Sequence, residues 1–538
     1  MESLNTSRIM LLFVAGMMLF FMLPARAQVF LPDDPIWEDP DRLDMPAPAE
    51  TVLSDYYDFV ENTFGDPADR TVRRAMNTNT LDEVPNSSWY TNRQYFYDMS
   101  IEDLIKGPNR GTGPDMSAPW RIVSGKSQGI TPGFQVIDAK GDRYLIKFDP
   151  KSNPEMATGA EVICTKFFYA LGYNVPENHL VRFKRDQLVT DPKATLKNRV
   201  GKKIPLDDKQ VEKWLELAPV DEEGTYRAVA SKFLNGKPLG PFRYYGTRPD
   251  DGNDIIPHEH RRELRALRVL AAWLNHDDSR AINSLDMLVK ERGRQFVRHH
   301  LIDFGSTLGS GSVVAQKRRP GNEYKFEIKP TLASMASFGI WLRPWVNVAY
   351  PDYPSIGRIE CDFFDPVQWK PEYPNPAFKR CDRADSFWAA NLVMSFTDDE
   401  IRAIVSQAEF TDPAAEEYLA NVLIKRRDRI GRAYLFLGGG LGRFRISSHY
   451  LVFVDLLAEY GFDSLAADRH VTWQEFDNQT GEPGKILRER GESYFKVLIP
   501  FSKAEYILAR IETPERGTTT VFLQKAGKRR SVAGIRRE

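Results

Sequence analysis

Asn275-His276-Asp277-Asp278-Ser279-Arg280-Ala281-Ile282-Asn283 is followed, a short gap later, by Asp303-Phe304-Gly305. As spacing this is H-x-D-x-x-x-x-N and then D-F-G. Phosphoryl transfer explains that set of residues. It needs one carboxylate to orient an attacking hydroxyl, plus an amide and a second carboxylate to hold Mg²⁺ on nucleotide phosphates. A tight loop presents Asp278 and Asn283 to one cleft, and Asp303 reaches the same cleft from the end of a neighbouring strand. The loop grows out of an amphipathic helix over 258–274, where Leu264, Leu267, Ala271 and Leu274 recur at steps of three and four and arginines fill the other faces.

Upstream lie residues that complete such a site. Residues 120–123, 134–138 and 143–148 read as strands, with the glycine-containing loop 124–133 between the first two. Gly125 and Gly129 let backbone amides approach phosphates where side chains would block them. In Tyr144-Leu145-Ile146-Lys147-Phe148, alternation puts Tyr144, Ile146 and Phe148 on one face and Leu145 and Lys147 on the other. A lysine inside an apolar strand must escape to solvent or meet an anion. A helix over 155–171 offers two glutamates. Met156, Ala160, Ile163, Phe167 and Ala170 form its main core stripe. Glu161 shares an adjoining face with Ala157, Cys164 and Phe168, whereas Glu155 points nearly opposite the core, so Glu161 is the better partner for Lys147.

The order Lys147, Glu161, Asp278, Asn283, Asp303 resembles that of the protein-kinase-like superfamily over about residues 119–437. The glutamate helix closed by Gly172 resembles the bacterial HipA-type kinases more than the eukaryotic ones. The resemblance implies an α+β, bilobal fold, with a β-rich small lobe at about 119–234 and a helical large lobe at about 235–437. It implies ATP with Mg²⁺ (or Mn²⁺) between the lobes. Lys147, Glu161, Gly125 and Gly129 would serve the phosphates, Asn283 and Asp303 the metal. Asp278 would orient the acceptor hydroxyl, and Arg280 would stand near the transferred phosphate. The chain would cross between lobes after the strand over 225–234. Two departures stand out: the loop is not G-x-G-x-x-G, and Asp277 occupies the place where many protein kinases carry arginine. The second argues against control through a phosphorylated activation loop.

The rest of the chain frames this core. At 538 residues it has room for two or three domains, and a formal net charge of −1 gives no argument for nucleic acid. Mean hydropathy is −0.44. The apolar run 9–23, followed by Ala25-Arg26-Ala27, reads as a cleavable signal peptide over 1–27 and predicts export to the periplasm or beyond. No later run is long enough to span a bilayer. Residues 28–118 read as an acidic, proline-rich arm, expected outside the core, and an N-terminal cover that includes the Ser87–Arg93 stretch. Residues 184–224 read as a polar, lysine-rich insertion with one short helix. Gly438-Gly439-Gly440 marks a boundary, and residues 441–538 read as a small β-rich domain with a solvated basic tail, 525–537. Of the three cysteines, Cys164 is expected as a buried thiol, and Cys361 with Cys381 as a disulfide.

Two functions fit. One is an exported, atypical kinase-like phosphotransferase acting on a hydroxyl of a protein, glycan or small molecule. The other is a non-catalytic, pseudokinase-type binding or scaffold protein of the cell envelope. Export favours the second, since ATP is scarce outside the cytosol; the intact polar set favours the first. No H-E-x-x-H helix or C-x-x-C pair points to other chemistries.

Overall fold

Residues 28–126, 133–197, 202–462, 468–492, 495–527 and 529–538 are described by the structure, a computed structural model. The expected signal peptide and Gly129 lie outside them. The arm is extended but not external to the core. Phe30 and Met45 are buried, because the arm is pinned strand-fashion, Met45 N–H donating to the Gln295 carbonyl at 3.0 Å and Thr51 N–H to that of Leu239 at 2.7 Å. It leads into a short helix, α1 (Asp55–Val60), capped by Ser54.

A seven-stranded sheet follows, from β1 (Trp120–Gly125), β2 (Gly133–Ile137), β3 (Arg143–Phe148), β4 (Asn178–Lys184), β5 (Leu188–Lys197), β6 (Lys203–Pro205) and β7 (Thr225–Lys232). Its order is β4-β7-β3-β2-β1-β5-β6, antiparallel except where β1 meets β5. Tyr144, Ile146 and Phe148 are buried in one apolar cluster with Trp120, Phe134 and Phe183, as the alternation of β3 predicts. Lys147 is left on the other face, toward α2 (Met156–Ala170). The polar insertion is a difference. Its Leu188, Ala194, Leu206, Val211 and Leu215 are buried in this same cluster, so β5, β6 and a helix, α3 (Asp208–Leu215), extend the lobe.

The chain then crosses through β8 (Lys237–Gly240) to a helical lobe built on α4 (Arg262–Trp273), with a hairpin of β9 (Ser284–Glu291) and β10 (Arg294–Leu301). Beyond come α5 (Ile328–Ala336), α6 (Arg383–Met394), α7 (Asp398–Val405) and α8 (Pro413–Leu437). The Thr397–Glu400 capping box forms as the sequence predicts. Two arginines of α4, Arg262 and Arg265, do not face water. Arg262 is fully buried between Asp385 (3.0 Å) and Asp82 (2.8 Å), an ion set that hydrophobic periodicity does not report.

After the triple glycine come two sheets, β11 (Leu441–Ser447), β12 (Tyr450–Asp455) and β15 (Lys496–Leu498) in one, and β13 (Arg469–Phe476), β14 (Pro483–Glu492), β16 (Tyr506–Thr513), β17 (Gly517–Ala526) and β18 (Arg529–Arg537) in the other. The basic tail is a strand rather than a solvated end. β18 pairs along β17, and Arg537 reaches Asp82 at 3.5 Å while its guanidinium covers the Phe387 ring. The expected disulfide is also corrected. Cys361 and Cys381 are separate free thiols, one beside Asp362 and the other 3.3 Å from Ser386 Oγ at the start of α6. Cys164 is a buried thiol, accepting a hydrogen bond from Thr307 Oγ1.

Candidate functional site

Lys147 projects from β3 away from the apolar cluster, and its ammonium meets two carboxylates. It lies 3.1 Å from both oxygens of Glu161 and 2.9 Å from Asp303 Oδ1. Glu161 is buried in α2 and also accepts from Asn178 Nδ2 at 3.1 Å. Asn178 in turn donates to Thr165 Oγ1, so the carboxylate is held from two sides. Asp303 is fixed by its neighbour. Phe304 is fully buried and stacks on Phe168 of α2 at 5.0 Å, with His276 packing against both rings. Asp303 itself adopts φ of 63°, the left-handed region, which aspartate tolerates better than most residues. At Gly305 a Cβ would come within 3.2 Å of Glu161 Oε2.

A second cluster forms where α4 ends. Asn283 Nδ2 donates to Asp278 Oδ2 and to the Asp278 carbonyl, both at 2.8 Å. Arg280 Nε pairs with Asp278 Oδ1, and the same guanidinium reaches Asp55 of α1 (2.9 Å) and Glu372 (3.2 Å). The clusters are joined through the backbone. Ile302 N–H, one residue before Asp303, donates to the Asn283 carbonyl at 3.0 Å. They are also close enough to interact electrostatically, since Asp303 raises the pKa of Asp278.

The charges are tuned in opposite directions. Burial pushes Asp278 up to about 6, against the pull of Arg280 and Asn283. Lys147 holds Asp303 down to about 2, against burial and with help from Lys126. Burial disfavours the Lys147 ammonium, but Asp303 and Glu161 outweigh it and hold its pKa above the usual lysine range. Burial keeps His276 neutral, its pKa lowered to about 4, and its Nδ1 has no partner among the described residues. Two neighbouring carboxylates with opposed pKa shifts are the pattern of a site with separate acid–base and electrostatic duties.

The residues expected from sequence therefore fall into two linked groups, Lys147–Glu161–Asp303 and Asp278–Arg280–Asn283. Gly125 belongs to neither. It ends β1 under α3, where a Cβ would lie 2.7 Å from the Trp214 ring, so packing accounts for its missing side chain. The sequence reading missed Lys126, which faces the Lys147 cluster electrostatically and whose pKa is lowered by burial and then by Lys147. Its signal was its place directly after β1. Asn178, Asp55 and Glu372 gave no signal, because they arrive from distant segments. Asp277, at the position usually held by arginine, is buried and accepts from Gln316 Nε2 at 2.6 Å; burial raises its pKa to about 7.

Among the described residues no group of three or more His, Cys, Asp or Glu side chains is arranged to hold a metal. Asp303 has a second oxygen beyond its lysine contact. Among the described residues both side-chain hydrogen bonds of Asn283 run through Nδ2, which leaves its Oδ1 as an acceptor.

No protein-family model and no curated protein matches the chain. Solved structures with some similarity include a Helicobacter pylori proinflammatory kinase, CtkA, at 14% identity and a TM-score of 0.29, covering 57% of this chain and 93% of that one. The Golgi casein kinase is 10% identical with a TM-score of 0.29, covering 74% of this chain and 94% of that one. Its form with Mn/ADP bound is 9% identical, with the same coverages and TM-score.

Proposed function

We propose that the protein is a kinase-like phosphotransferase that uses ATP with Mg²⁺ or Mn²⁺ and acts on a hydroxyl acceptor. The observation that carries this reading is the three-way contact of Lys147 with Glu161 and Asp303, joined through Ile302 and Asn283 to the Asp278 loop. Lys147, kept charged and aimed by Glu161, binds nucleotide phosphates. Asp303 and the Asn283 amide oxygen hold the divalent cation, which supplies charge neutralisation at the phosphates. Asp278 orients the acceptor hydroxyl and takes up its proton; a carboxylate titrating near 6 suits that duty at neutral pH. Arg280 then sits beside the transferred group. Export by the segment 1–27 is part of the proposal, and the glycine-closed glutamate helix supports a HipA-type affinity within the kinase-like proteins.

One observation favours the scaffold reading. Both oxygens of Asp278 are engaged, by Arg280 and Asn283, and α1 brings Asp55 onto Arg280 from outside the loop. An acceptor must displace part of that arrangement. The test is Mg²⁺-dependent nucleotide binding by calorimetry together with transfer from labelled ATP, on parent and Asp278→Asn. The enzyme reading expects both to bind, with transfer lower by about 10²–10⁴ in the variant. Binding without transfer by the parent, across protein and glycan acceptors, leaves the scaffold. No nucleotide binding by folded protein removes the kinase-like function and leaves only the fold.

A further inference from the structure

One surface of the helical lobe has no use in the proposed reaction. Helix α5 has no buried residue. Ile328, Leu332 and Met335 follow the i, i+4, i+7 spacing of a single face, and each is more than half exposed. On either side of the turn at Gly339 the chain displays Phe338, 96% exposed, and Ile340, 84% exposed, with Trp341 and Leu342 also open to solvent. Phe326 extends the surface at its start, against the exposed ring of Phe64 at 5.3 Å. Isolated apolar side chains are ordinary on a protein surface; a continuous run of this size marks an interface.

The charges around it select the occupant. Residues 317–343 hold six basic side chains against two acidic ones. The two acids are already neutralised within the protein, Glu323 by Arg343 at 2.8 Å and Glu327 by Lys370 at 2.6 Å. Lys317 and Lys329 are exposed and have no carboxylate partner among the described residues. A second copy docking through the same patch would bring these like charges together, which opposes a symmetric dimer. We propose that residues 326–342 seat the protein on an anionic phospholipid surface, with the apolar face of α5 and Phe338–Leu342 at the acyl boundary and Lys317 and Lys329 at the headgroups. An apolar face bordered by lysines, with tryptophan at its edge, has the composition of interfacial segments. The proposal does not depend on phosphotransfer. It does place the membrane on the side of the lobe from which Lys325 holds Glu372, the residue that also holds Arg280.

The test is co-sedimentation of the full chain with vesicles of phosphatidylcholine alone and of phosphatidylcholine mixed with phosphatidylglycerol. Three proteins are compared: the parent, the triple variant Phe338→Ser/Ile340→Ser/Trp341→Ser, and the double variant Lys317→Glu/Lys329→Glu. All changed side chains are at the surface, so thermal midpoints should stay together. The parent should prefer the anionic vesicles. The triple variant should lose about tenfold or more in partitioning, and the double variant should lose the preference for phosphatidylglycerol. Equal sedimentation of all three would overturn the proposal, because another segment such as 1–27 would then be the anchor. A parent that ignores both vesicles also overturns it; if that parent is dimeric and the triple variant monomeric by ultracentrifugation, the patch is a contact between copies.

Discussion

Replacing Asp278 by Asn should stabilise the folded protein while removing its proposed function. The carboxylate is nearly buried, with 19% of its side chain exposed, and its pKa rises from 3.8 to about 6. A raised carboxylate pKa means that the folded chain holds the proton more tightly than the unfolded one. Ionising Asp278 therefore costs stability as pH climbs from about 4 to about 6, and the full cost persists at pH 7. A rise of that size corresponds to roughly 3 kcal/mol. Asparagine has one acceptor oxygen where Asp278 uses two, for Arg280 and Asn283, so one donor loses its partner at a cost of about 1 kcal/mol. The expected net gain is about 1–2 kcal/mol at pH 7. It should shrink as pH falls through 6 and vanish or reverse below about 4, where the parent's carboxyl is also protonated. Urea and thermal midpoints of parent and variant, measured across that range, give the comparison. A variant less stable than the parent at pH 7, by a margin that does not change with pH, would refute the reasoning.

Three further outcomes follow from the site and its surroundings. Lys147→Met should abolish Mg²⁺-dependent nucleotide binding and, by stranding buried Glu161, destabilise by about 3–5 kcal/mol; Lys147→Met/Glu161→Gln should recover much of the stability and none of the binding, as followed by calorimetry and urea unfolding. Asp303→Asn should weaken nucleotide binding in Mg²⁺ but leave metal-free binding equal or stronger, since it releases Lys147 from one of its two acids; a uniform loss with and without metal would contradict the assigned role. Thiol labelling of the unfolded, unreduced protein should find three reactive cysteines, at 164, 361 and 381, and a single one would restore the disulfide.

The residues that were legible in the sequence share a property: each is reported by local spacing. Lys147 shows itself as a charge in an alternating strand, Glu161 by its place on a helix face, and Asp278, Asn283 and Asp303 by loop motifs. What escaped is held by long-range partners. Asn178 clamps Glu161 from another strand, and Asp55 reaches Arg280 from 225 residues away. Periodicity also treats arginine as surface, so it missed Arg262, whose burial is made possible by Asp82 and Asp385 arriving from separate segments. The basic tail was misread for the same reason. Arg529–Arg537 is too charged to look like a strand, and it becomes one because β17 offers it a free edge.

The way the two ends of the chain are tied has a consequence for biosynthesis. Phe30 packs among Phe476, Tyr506 and Phe522, and the Ile535 amide donates to the Thr80 carbonyl at 2.8 Å. Residues up to 522 must leave the ribosome before Phe30 finds its partners, and up to 535 before Thr80 finds its donor. Until then the N-terminal arm has no aromatic box to enter, and Asp82 lacks one of its three arginines, Arg537. Such contacts close the largest loops in the molecule and come late and slowly. A nascent chain of this design stays open to chaperones, or to passage through a pore, until these late segments have been made.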